Sequence, residues 1–154
     1  SKRILFIIFL SVFSLGHADN YSTEKLIAWC IVPFDSQKRS PSQRAQMLKN
    51  ISLKEFLLIS VKKTTEFEAE ILEYKKHGIE FFAFWNTHKL AFKLFKKHKI
   101  YPQIWKTAIS PNGGNNNDKL NIAIKEILPL VKKTRELGCK LGLYNHGGWG
   151  GEPA

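Results

Sequence analysis

Ile79-Glu80-Phe81-Phe82-Ala83-Phe84-Trp85 is a nearly continuous apolar run, and it decides how the rest of the chain is read. Strands covered on one face alternate apolar and polar residues, whereas strands buried on both faces do not, so this run predicts an interior strand of a parallel sheet. The flanks agree. Before it, Phe67, Ile71 and Tyr74 stand at i, i+4 and i+7 in a helical pattern from Glu66 to His77, which Gly78 stops. After it, a helix from about Lys89 to Lys97 leads to a strand from about Pro102 to Ala108.

Further out the alternation continues. Leu26 to Phe34 reads as the first strand, and Ser40-Pro41 opens a helix through about Leu53, with Ser40 as N-cap and Pro41 in the first turn. Glu55 to Val61 is a second strand. On the other side, Ser110-Pro111-Asn112-Gly113-Gly114-Asn115-Asn116-Asn117-Asp118 is a polar turn-forming loop. Asp118 is the expected cap of a helix from about Lys119 to Leu137, with Pro129 expected to bend or interrupt it. Gly138 ends that helix and a fifth strand follows. The junctions Lys75-Lys76-His77-Gly78-Ile79 and Lys96-Lys97-His98-Lys99-Ile100 are alike, so the repeating unit is one βα step, with His77 and His98 as helix-end residues.

Strands alternating with helices define an α/β fold. Two architectures fit: about five βα steps of a partial (β/α)8 TIM barrel, which in full needs about 250 residues, or a flavodoxin-like doubly wound sheet. The barrel is preferred, because no element follows the fifth strand to cover it. Half a barrel leaves strand edges open, so self-association is expected.

The front end has a different character. Lys2 and Arg3 precede an apolar stretch from Ile4 to Phe13, then Gly16 and Ala18, which is the pattern of a signal peptide over residues 1–18 cleaved after about Ala18. The apolar stretch is shorter than the roughly 18 residues of a membrane span. The expectation is an exported chain, periplasmic or extracellular, with residues 19–154 forming one domain and no stable membrane span after cleavage.

The full sequence carries 24 Lys and Arg against 13 Asp and Glu. Such a balance permits nucleic-acid binding. The lysines are instead spread as helix-end pairs, as in Lys62-Lys63, Lys132-Lys133 and the two junctions above, so no nucleic-acid partner is expected. Cys30 and Cys139 sit in apolar strand-like runs and read as small buried hydrophobes rather than a disulfide or a metal pair.

Polar and aromatic groups gather at strand ends, where α/β proteins hold ligands. Gly142-Leu143-Tyr144-Asn145-His146-Gly147-Gly148-Trp149 closes the fifth strand, Trp85 and Asn86 close the third with His88 nearby, and Asp35 follows the first. Aromatic rings beside hydrogen-bonding groups suit a sugar, whose C–H faces are apolar and whose hydroxyls need partners. Trp85, Asn86, Asn145 and Trp149 are the substrate-binding candidates. His146 is the catalytic candidate, since imidazole moves protons or ligates metals near neutral pH. Trp29 and Trp105 read as core residues.

The strand succession and the Asn145-His146-Gly147-Gly148 motif resemble the xylose isomerase-like TIM-barrel family of sugar isomerases and epimerases. The likeness spans roughly residues 26–153. Members often carry Glu-Asn-His-Gly-Gly, the glutamate holding a divalent metal that polarises a sugar carbonyl and hydroxyl; here Tyr144 stands in that glutamate's place. A neutral phenol is a poor ligand for Mg²⁺ or Mn²⁺. The resemblance therefore implies either a different arrangement of a divalent metal (Mn²⁺, Mg²⁺ or Zn²⁺) on His146 and Glu152, with proton transfer on a carbohydrate, or a non-catalytic carbohydrate-binding barrel. The same family includes apurinic endonucleases, which is the third expectation; export and the lack of a basic loop interleaved with aromatics weigh against it.

Overall fold

The computed structural model describes residues 26–29, 36–58 and 64–152. The expected leader over 1–18, Cys30 and Asp35 lie outside them. Five parallel strands, β1 (Ile27–Ala28), β2 (Glu55–Leu58), β3 (Glu80–Trp85), β4 (Gln103–Thr107) and β5 (Leu141–Tyr144), form one sheet in the order β1-β2-β3-β4-β5. Helices α1 (Pro41–Asn50), α2 (Thr64–Lys76), α3 (Lys89–His98) and α4 (Asn116–Glu136) alternate with them. The result is a parallel α/β sheet with alternating helices.

One aromatic-rich core joins this sheet to its helices. Ala28, Phe56, Phe81, Phe84 and Ile104 from the strands pack with Leu48 of α1, Phe67, Ile71 and Tyr74 of α2, and Phe92 and Phe95 of α3. Leu130 and Leu137 of α4 lie against the same cluster, so all four helices share one layer. Phe81 and Phe84 reach that layer together because the register slips between Phe56 and Leu57, leaving Phe82 as one extra residue in β3. Such a bulge resets the alternation of faces. Ala83 and Trp85 then point to the opposite face, and so does Trp105, next to buried Ile104.

The helix ends obey local rules. Ser40 accepts from the Gln43 N–H while the Gln43 side chain returns to the Ser40 N–H, a complete capping box with Pro41 in the first turn. For α4 the cap is Asn115 and not Asp118: Asn115 accepts from the Asp118 N–H and Asp118 accepts from the Asn115 N–H. Asp118 is thus the third residue of the box, and the helix starts earlier than expected. Pro129 does not end α4. The position is exposed, where water can satisfy the carbonyl that loses its donor.

At the other ends, the N–H groups of Leu53, Ile79, Ile100 and Cys139 bond back to Leu48, Tyr74, Phe95 and Thr134 at 2.9 to 3.0 Å. The residue before each must turn left-handed. Gly78 and Gly138 do so without cost, whereas Ser52 and Lys99 (φ +53°) do so against their Cβ atoms.

Beneath α1 and α2, Arg44 is buried at 1% exposure and meets Glu70 through Nε at 3.0 Å. Tyr74 donates to the same carboxylate at 3.0 Å, and Arg44 also donates to the Arg39 carbonyl. Burial, then the Glu70 charge, pushes the Tyr74 phenol well above its ordinary pKa. No helix among the described residues is long and apolar enough to cross a membrane.

Breaking a buried pair strands the remaining charge at a cost of roughly 3–5 kcal/mol. Arg44→Leu is therefore expected to lower the denaturant-derived unfolding free energy by about 3 kcal/mol, and Arg44→Leu with Glu70→Leu to recover most of it. Replacing the left-handed Lys99 by glycine is expected to raise stability by about 1 kcal/mol in the same measurement, since only glycine escapes the Cβ clash there.

Candidate functional site

The side of the sheet opposite the described helices carries a row of rings. Trp29 lies 5.5 Å from Trp105, Trp105 5.9 Å from Trp85, Trp85 4.6 Å from Tyr144, and Tyr144 stacks on His146 at 5.6 Å with 29° between planes. Phe82 meets Trp105 edge-on at 6.2 Å. The row crosses β1, β3, β4 and β5. Parallel register sets it: Trp85 pairs with Trp105, Trp105 with Gly142, and Thr107 with Tyr144.

Gly142 makes room for the row. A Cβ there would sit 2.8 Å from Trp105 Cδ1, so the indole lies directly over the bare backbone of β5. Trp29 is 57% exposed, and Trp85, Trp105 and Tyr144 are half-buried, which leaves aromatic surface accessible to a ligand. Trp29 and Trp105, expected in the core, belong to this surface. Trp29 follows β1 and Trp105 lies on β4, and the sequence alone did not show which face of the sheet each would take.

An imidazole ends the row. His146 is exposed and forms no hydrogen bond with another described residue, so both ring nitrogens are available. Asn86 takes a left-handed conformation, its N–H donating to the Trp105 carbonyl at 2.7 Å. The Asn86 Oδ1 accepts from the Thr87 N–H and from Lys106 Nζ, which leaves its amide NH₂ as the free donor.

Asn145, Trp149 and Glu152 go elsewhere. They line a groove between β5 and α4, where the Trp149 indole donates to Asn116 Oδ1 at 3.3 Å. The candidates therefore fall on different surfaces: Trp85 and His146 on the ring-bearing side, Asn145, Trp149 and Glu152 on the other, and Asn86, whose Oδ1 meets Lys106, toward the helix side. Strand alternation separates them, Tyr144 and His146 pointing one way and Asn145 the other.

The glycine loop has a structural reason of its own. Ser110 Oγ accepts from the Gly150 N–H at 2.9 Å and donates to the Gly147 carbonyl, and a Cβ on Gly148 would come within 2.8 Å of that Oγ. At Gly148 the space that a side chain would fill is occupied by Ser110 rather than left for a ligand.

The expected divalent metal is overturned. No three His, Cys, Asp or Glu side chains converge to hold an ion among the described residues. His146 faces Tyr144 while Glu152 lines the α4 groove, so the two proposed ligands do not share a site with a further carboxylate. His88 caps α3 by accepting from the Ala91 N–H, and His98 ends α3 against Glu68. Hydrogen bonds from Lys97 first and His98 second hold the Glu68 carboxyl below its usual range. His77 sits beside Glu73 at the end of α2. Burial raises the Cys139 thiol, in keeping with an inert core cysteine. The chain matches no family model, no curated protein and no solved structure.

Filling the Gly142 notch tests whether the ring row is set by that contact. Gly142→Ala is expected to cost about 1–3 kcal/mol by overpacking and to shift the tryptophan emission maximum; unchanged emission would show that Trp105 does not rest on Gly142.

Proposed function

We propose that the chain binds carbohydrate on the aromatic row of a barrel-type sheet. What carries the reading is the unbroken line of ring contacts from Trp29 to His146, which ends in the free imidazole. Flat apolar faces next to a few orienting polar groups match the amphipathic surface of a sugar ring. Sheet order supports the barrel: a flavodoxin-like sheet reverses its order at a switch point and places helices on both faces, whereas here the order is sequential and the helices share one layer. The xylose isomerase-like likeness of Asn145-His146-Gly147-Gly148 agrees with that architecture. Without the metal ligand set, binding is favoured over isomerisation, and proton transfer on this face would fall to His146.

The test is a titration of mono- and oligosaccharides in EDTA, followed by tryptophan fluorescence and calorimetry. At least one sugar is expected to bind, with Trp85→Ala and Trp105→Ala each weakening it about tenfold, as loss of a buried aromatic contact of roughly 1.4 kcal/mol would. Silence across the panel, or full binding by Trp85→Ala, would defeat the proposal.

A further inference from the structure

A second cavity opens on the helix-covered side, between α3 and α4, with a volume of about 810 Å³. That is the size of a small-molecule site. Its floor is apolar, formed by Phe92, Ile127, Leu130 and Leu137. Around the floor stand Lys89, Lys93 and Lys96 from α3, Lys133 from α4 and Lys106 from β4, against two carboxylates, Glu126 and Glu136. The α3 lysines lie at i, i+4 and i+7, which is one face of a helix.

None of these five ammonium groups forms an ion pair with a described residue. Lys106 is the telling one. Alternation along β4 puts it on the same face as Ile104, between sheet and helices, where it is half-buried. Its hydrogen-bond partner there is a neutral amide oxygen, Asn86 Oδ1 at 3.3 Å. That contact is solvent-exposed, so the ammonium keeps donors free to take an anion beside it. The cavity supplies the space for one.

We propose that this cavity binds an amphiphile with a carboxylate head and an alkyl body, a long-chain fatty acid by chemical class. The alkyl chain covers Phe92, Ile127 and Leu130, and the carboxylate is held by Lys106 with the α3 lysines around it. Charge complementarity selects the head; the apolar floor selects the tail. A free phosphate would leave that floor wet. A nucleotide would want an exposed ring to stack on, and Phe92 is 6% exposed. The site is separate from the aromatic row, since Lys106 and Trp105 are successive residues of a strand.

Calorimetry of the full chain with dodecanoate below its micelle concentration tests this. One-to-one binding that weakens with added salt is expected. Lys106→Gln is expected to lower affinity about tenfold through loss of a charge-assisted hydrogen bond, and the exposed Lys93→Glu to lower it without changing the melting temperature. Trp85→Ala should leave it intact, which separates this site from the carbohydrate surface. Equal binding of dodecyl maltoside, which has the same tail and a neutral head, would overturn the proposal, as would equal binding of acetate. So would undiminished dodecanoate binding in Lys93→Glu, or its loss in Trp85→Ala.

Discussion

One additional residue in β3 sets both surfaces of the sheet. Phe81 and Phe84 are three apart, a spacing that in a regular strand sends the two side chains to opposite faces. With Phe82 bulged out of the pairing to β2, both rings enter the helix layer, where Phe81 meets Phe56 at 4.2 Å and Phe84 meets Phe95 at 5.3 Å. The same step turns Trp85 toward Trp105 and Tyr144. Core and aromatic row are two outcomes of a single irregularity. An uninterrupted β3 would bury one phenylalanine fewer under α2 and α3, and would turn Trp85 away from its neighbours.

Much of the fold was legible because each βα junction is written locally. Phe67, Ile71 and Tyr74 show the buried stripe of α2, Ser40-Pro41 its predecessor's start, and Gly78 and Gly138 the helix stops. What the residues did not show was of two kinds. Asn115 and Asp118 are both good caps, and sequence alone could not decide which would be first and which third in a reciprocal box. Pro129 looked like a break, but a helix tolerates a missing N–H where its surface is open to water. Arg44 could not be seen as a core residue at all. Its burial depends on Glu70 and Tyr74, which lie one full βα step away.

The site was legible in kind and not in arrangement. Of the aromatic and polar residues at strand ends, the structure brings Trp85, Tyr144 and His146 together and adds Trp29 and Trp105 to them. Side-chain alternation then divides Tyr144 and His146 from Asn145, a distinction of one residue that motif reading overlooks. Gly148 and Gly150 lie where an added Cβ would meet Ser110 and Ile109. Their contribution is to dock the end of β5 on the end of β4, and so to fix where His146 emerges.

Asn86 is where the two faces of β4 meet. Its N–H is tied to the carbonyl of Trp105, whose ring lies in the aromatic row, and its Oδ1 to the ammonium of Lys106, which stands between sheet and helices. The residue also holds a left-handed turn, φ +69°, which asparagine tolerates better than most side chains. A glycine would relieve the backbone but surrender the amide that holds Lys106; an aspartate would keep the turn and turn that hydrogen bond into an ion pair. The amide therefore leaves the Lys106 charge unneutralised while fixing its position, the combination that an anion site requires and a structural salt bridge would remove.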